Sequence, residues 1–154
     1  ITSRDEGLGR CHLNGYKRAL EKNGLEYDEK LIVRLKPGNR IYTIENGYNS
    51  TCELLESGVD FSCIYAISDT LAVGACKAII DSGKRVPEDY CVAGADGQDI
   101  AEYYHPSITT LEYPRVETAQ QSIRTLFDMI DRKKVVKRQM LAGRLIERES
   151  TRKL

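Results

Sequence analysis

The chain has little of what catalysis is usually built from. Its 154 residues hold two histidines, His12 and His105, far apart and in no HxxH or HExxH spacing, so the common zinc signatures are missing. No GxSxG elbow and no P-loop occurs, which excludes the commonest hydrolase and NTPase patterns. The expectation is a protein that is not an enzyme and carries no cofactor and no metal. No apolar run reaches membrane length and no signal peptide is visible, so no membrane partner is expected. Charge of either sign is not in excess. Lys+Arg and Asp+Glu stand at 23 each, leaving no global field to attract DNA or an anionic surface. The densest basic run, Arg132, Lys133, Lys134, Lys137 and Arg138, has no interleaved aromatics and reads as a solvated loop after a helix. Internal repeats and low-complexity stretches are absent too.

Five cysteines, Cys11, Cys52, Cys63, Cys76 and Cys91, form an odd set without a CxxC pair. Placed among apolar residues in predicted strands and helices, they fit small reduced core residues of a cytoplasmic protein. The chain opens at Ile1, directly in a predicted strand end, and is expected to be a fragment of a longer protein.

What is present is an alternation. Residues 8–22 place Leu13, Tyr16 and Leu20 at helical spacing, and Asn23-Gly24 stops the helix. Residues 30–35 form a short apolar run ended by Pro37-Gly38. A helix over 43–56 carries Ile44, Tyr48, Cys52 and Leu55 on one face, followed by a strand over 61–67. Ser68 or Asp69 caps a helix with Leu71, Ala75 and Ile79 inward, ending at Ser82-Gly83. Strands over 90–95, 108–113 and 140–146 follow, with a short helix at 99–104 and a long one at 116–132. Strands alternating with helices of ten or more residues imply βαβ crossovers. The predicted fold is therefore α/β, one domain over 1–154, with a mostly parallel sheet and helices on both faces.

In such a sheet the strand carboxyl ends share one rim, and ligands bind outside it. Apolar runs hand over to polar or capping residues at Ser3, near Tyr42, at Ser68-Asp69 and at Asp96. In Gly94-Ala95-Asp96-Gly97 the glycines allow close backbone approach while the acid faces the crevice. The alternative is an Asp that caps the next helix. Gly7-Leu8-Gly9 lacks the third glycine of a dinucleotide fingerprint and reads as a turn.

Several motifs in register carry a family resemblance. Ala66-Ile-Ser-Asp-Thr-Leu-Ala-Val-Gly74, Gly83-Lys-Arg-Val-Pro-Glu-Asp-Tyr-Cys-Val-Ala-Gly-Ala-Asp96, Pro106-Ser-Ile-Thr-Thr-Leu-Glu-Tyr-Pro114 and Leu145-Ile-Glu-Arg-Glu-Ser-Thr151 resemble the effector domain of the lactose/galactose-repressor family. The likeness covers mainly its carboxyl-terminal, periplasmic-binding-protein-like (type I) subdomain. It implies a small-molecule effector, a sugar or nucleobase-like compound, held between two subdomains. It also implies a homodimer formed around the Asp69 helix and the preceding strand, with DNA contacted only through a helix-turn-helix outside this chain. The segment 109–135 would cross to, and pack on, the amino-terminal subdomain. With that partner missing, the 116–132 helix is expected to fold differently against its own chain or to be covered by a second copy.

Carried onto this sequence, the family's ligand-binding positions fall on Asp96, on Ser68 where the family usually has Asn, on Tyr42 ahead of Gly47-Tyr48, and on His12 where the family has arginine. An ionised Asp accepts two hydrogen bonds, suiting adjacent hydroxyls, and a Tyr ring covers an apolar sugar face. His12 lacks arginine's rigid charged fork, which favours a neutral, hydroxyl-rich effector. Tyr42 as a loop aromatic and His12 as a solvated helix residue are the plain alternatives. Two rivals share the architecture, a periplasmic-type sugar-binding protein and the sensory domain of another signalling protein.

Overall fold

The computed structural model describes residues 1–2, 7–35 and 40–152, apart from the Leu8 side chain. Ser3 and Pro37-Gly38 lie outside the described residues. The first helix, α1 (Gly7–Lys22), is followed by a 3-10 turn (Glu29–Leu31), helix α2 (Ile44–Glu56) and strand β1 (Cys63–Tyr65). Then come α3 (Asp69–Asp81), β2 (Cys91–Asp96), the short α4 (Asp99–Tyr103), β3 (Thr109–Glu112), α5 (Arg115–Ile130) and β4 (Arg144–Ile146).

The sheet order is β1-β2-β3-β4, with the first three strands parallel and β4 antiparallel to β3. Backbone hydrogen bonds carry the sheet further. Ile67 N–H donates to the Ile1 carbonyl at 3.2 Å, Thr2 N–H to that of Val33 at 2.9 Å, and Leu35 N–H to that of Thr2 at 2.9 Å. The predicted alternation of strands and helices is thus realised.

The strand expected over 30–35 is instead a 3-10 turn followed by a single bridge between Thr2 and Arg34. Asp28 is the cause. Its side chain accepts from Lys30 N–H at 2.9 Å, which starts a turn where an extended strand was expected.

Helix α3 is the centre of the core. Ser68 caps it by accepting from Leu71 N–H, and Leu71, Ala75 and Ile79 are fully buried, as their spacing predicts. Helix α2 lies on α3 almost backbone to backbone. A Cβ on Gly47 would overlap the Leu71 carbonyl, and one on Gly74 would overlap the Ile44 carbonyl and Tyr48 nitrogen. On the sheet side, Ile64 and Val92 join the same core cluster. Tyr65, one residue on from Ile64, leaves the opposite face and meets His12 of α1. Helices therefore cover both faces.

Ser150 stitches the closing segment in place. Its hydroxyl accepts from Thr109 N–H at 2.8 Å and donates to the Val92 carbonyl at 2.6 Å, while Val92 N–H reaches the Ser150 carbonyl at 2.9 Å. Arg148 adds bonds to the Ile108 carbonyl and Glu102, and Thr151 pairs with Thr109. The Arg-Glu-Ser-Thr ending is a clasp across β2 and β3.

One expectation needs correction. The cysteines are not uniformly core residues: Cys76 is buried, Cys11 and Cys63 are exposed, and Cys52 and Cys91 are intermediate. Strand alternation explains this for Cys63 and Cys91, which leave the face opposite Ile64 and Val92. The Asp69 helix is enclosed by its own chain, with Lys77, Ile80 and Asp81 exposed and Thr70 only partly covered. Within the 109–135 segment, Thr109 and Thr110 are buried in β3, so departure from the sheet begins after Glu112. Helix α5 does not refold against its own chain: it has no buried residue, and Val116, Ile123, Leu126, Phe127 and Ile130 are all more than half exposed.

Candidate ligand-binding rim

The parallel strands deliver their carboxyl ends to one edge, and a cluster of titratable groups gathers there. Asp96 closes β2 with a left-handed backbone (φ 103°), and Gly97 follows at φ 66°. That pair of conformations turns the chain sharply and leaves the Asp96 carboxylate partly exposed. Gln98 donates its side-chain N–H to Asp96 at 3.1 Å. Arg115 at the start of α5 donates to the Gly97 carbonyl at 2.8 Å, fastening the turn from the other side.

Asp96 does not cap the following helix. The N-cap of α4 is Gln98, which makes no side-chain cap bond; the Asp69 carboxylate holds that residue by accepting from Gln98 N–H and also accepts from the Thr110 hydroxyl, both at 2.6 Å. Asp69 is fully buried. A Cβ on Gly94 would collide with its carboxylate, so the glycine before the acid is there to let Asp69 in. The Asp96 carboxylate is thereby left half-buried at the rim.

Opposite Asp96 stands His12. Its Nδ1 lies 3.0 Å from the Tyr65 hydroxyl, with the rings 6.2 Å apart and tilted. Burial lowers the His12 pKa, against the pull of the nearby Asp96 charge. Asp96 itself is raised by burial, with Gln98, His12 and Arg115 opposing. Tyr65 is pushed up to about 12 by burial and by the field of Tyr113, Asp96 and Asp69. Tyr113 is raised for the same reasons. The rim therefore presents one carboxylate among neutral hydrogen-bonding groups: an imidazole and two phenols. Behind His12 and Tyr65 runs a mostly apolar cavity of about 100 Å³ that reaches Leu13, Tyr16 and Phe61.

The sequence-predicted residues fall into two pairs. His12 and Asp96 sit close enough to influence one another electrostatically. Ser68 and Tyr42 are joined through Thr70, whose hydroxyl donates to the Tyr42 carbonyl at 3.1 Å and lies 3.0 Å from that of Ser68. The Ser68 hydroxyl is buried and engaged in capping α3, while the Tyr42 ring is 44% exposed just ahead of α2. Sequence reasoning missed Tyr65, Tyr113 and Gln98. Tyr65 and Tyr113 end or follow β1 and β3 next to the rim, so a search of every strand end for aromatics would have found them. Among the described residues no cluster of metal-ligating side chains occurs.

A mostly parallel sheet with helices on both faces and a polar rim has the architecture of one lobe of a periplasmic-binding-type protein. Residues 2–151 match the periplasmic binding protein-like domain, and the chain belongs to that family, in the form found in lactose/galactose-repressor (LacI) regulators. It is 38% identical to the HTH-type transcriptional regulator MalR of Clostridium butyricum over 95% of this chain and 42% of that protein. A sugar-binding LacI-family regulator from Escherichia coli, solved with phosphate, superposes with a TM-score of 0.86 at 35% identity, covering 97% of this chain and 52% of that one. The regulator CelR in complex with cellobiose superposes at 0.84 with 31% identity, covering 97% and 46%. The chain thus spans about half the length of these proteins.

Proposed function

We propose that this chain is the carboxyl-terminal half of the effector-binding domain of a sugar-responsive, DNA-binding transcription regulator, and that its effector is a neutral, hydroxyl-rich molecule. The observation that carries the ligand class is the composition of the rim. Asp96 offers acceptor oxygens for adjacent hydroxyls. Around it stand His12, held neutral by burial, Tyr65 and Tyr113. The neighbouring guanidinium, Arg115, is engaged with the Gly97 carbonyl. An anionic ligand would meet the Asp96 charge with little to offset it.

Asp96, His12 and Tyr42 are the proposed ligand-facing set, and Ser68 supports them from beneath through its cap of α3 and its contact with Thr70. Tyr65 and Tyr113 join them. The exposed apolar face of α5 is the surface on which the other half of the effector domain packs, since a face of that size in water marks an association site. DNA contact, homodimer formation and a cytoplasmic location belong to the full-length regulator. The matched relatives are transcription regulators, which favours this reading over a periplasmic transport component and over catalysis.

A thermal-shift screen of the full-length protein against neutral sugars, nucleosides and sugar phosphates tests the ligand class. Stabilisation by a neutral sugar and none by its phosphate ester is expected. A preference for the phosphate ester would overturn the assignment.

A further inference from the structure

We propose that Cys63 and Cys91 form a redox-responsive dithiol that closes to a disulfide across β1 and β2. The two residues are register partners in this parallel pair, so their side chains leave the same face of the sheet. Neighbouring strands run about 4.7–4.9 Å apart, inside the roughly 4.4–6.8 Å window of Cα separations that a disulfide spans. Both thiols are free, Cys63 exposed and Cys91 partly so. Cys91 already turns its sulfur toward the Pro87 carbonyl at 3.7 Å.

The other three cysteines lack this arrangement. Cys76 is buried in α3 and its thiol is pushed up to about 12. Cys11 and Cys52 lie on α1 and α2, with no cysteine in register. Although the residue is exposed, desolvation of its thiol and then the neighbouring Cys91 raise Cys63 to about 11, which keeps that thiol protonated and slow to react alone. Proximity to a second thiol is what makes the pair distinct.

The oxidant is a small-molecule disulfide such as glutathione disulfide. One thiolate of the pair attacks a sulfur of the small disulfide, releasing one small thiolate and leaving a mixed disulfide. The second cysteine loses its proton and attacks the protein sulfur of that bond, releasing the other small thiolate. Two electrons and two protons leave the pair, and one disulfide becomes two thiols. The new bond would link β1, which ends at Tyr65, to β2, which ends at Asp96. This inference does not rest on the identity of the effector.

The test is to equilibrate the full chain with glutathione disulfide, quench in acid, and alkylate the denatured protein before mass spectrometry. The expected product has lost two hydrogens and two of its five alkylatable thiols, runs as an unlinked chain on a non-reducing gel, and reverts with dithiothreitol. Cys63→Ser and Cys91→Ser should each abolish it, while Cys11→Ser should not. A persistent glutathione adduct, a covalently linked pair of chains, or an internal disulfide that survives Cys63→Ser would overturn the proposal. Circular dichroism of each variant confirms that the fold is kept.

Discussion

His12 Nδ1 and the Tyr65 hydroxyl meet at 3.0 Å, joining α1 to the end of β1 at the mouth of the ligand rim. The contact holds beside Asp96 an imidazole whose charged form burial disfavours. Its pH dependence follows from burial. His12 is lowered from 6.5 in the folded protein, so between that value and the lower folded one the unfolded chain binds more protons. Stability is then fully present above pH 6.5 and falls as pH drops through that window. Urea denaturation across pH 5–7 should show this slope in the wild type and a flatter one in His12→Gln. Equal slopes would remove His12 as its source.

Asp69→Ala should be the costliest substitution near the rim. It strips the acceptor from the buried Thr110 hydroxyl and from Gln98 N–H. Losing charge-assisted bonds while stranding buried donors costs about 2–3 kcal/mol. Equilibrium unfolding measures it, and a loss below about 1 kcal/mol would show that water replaces the carboxylate.

Gly74→Ala tests the contact between α2 and α3. The added methyl has nowhere to go but into the Ile44 carbonyl and Tyr48 nitrogen, and backbone cannot rotate aside as a side chain can. Overpacking of this kind costs about 1–3 kcal/mol, and a clash with backbone belongs at the upper end. The same change at Gly15, where a Cβ meets nothing within 4 Å, should be neutral or slightly stabilising. Chemical denaturation of the two variants side by side checks the contrast.

The apolar face of α5 predicts association. Phe127 is 61% exposed with Ile123 and Ile130 beside it on the same helix. Sedimentation velocity of this chain alone should show concentration-dependent self-association that Phe127→Asp reduces. A monodisperse monomer with α5 ordered would contradict the assignment of that face as a packing surface.

The layout of strands and helices was legible because apolar periodicity reports it directly, as Leu71, Ala75 and Ile79 illustrate. The rim was legible only in part. Asp96 stood out through its flanking glycines, yet the reason for Gly94 was the Asp69 carboxylate packed against it, a contact 25 residues away in sequence. Tyr65 escaped notice because a tyrosine in a strand reads as core until the partner across the layer is known. The turn at Asp28 overrode a plausible apolar strand, since a local side-chain cap competes with any sheet ladder. The clasp made by Ser150 resembled a family ending without revealing that its hydroxyl substitutes for backbone partners in two strands.

Titration calorimetry on the full-length protein, using whichever neutral sugar gives the largest thermal shift, tests the central claim most directly. Asp96→Ala should weaken binding by about 1.5–3 kcal/mol, the range for hydrogen bonds to a charged group, while unfolding remains cooperative. Unchanged affinity in a folded Asp96→Ala protein would place the ligand elsewhere and contradict the account of this rim.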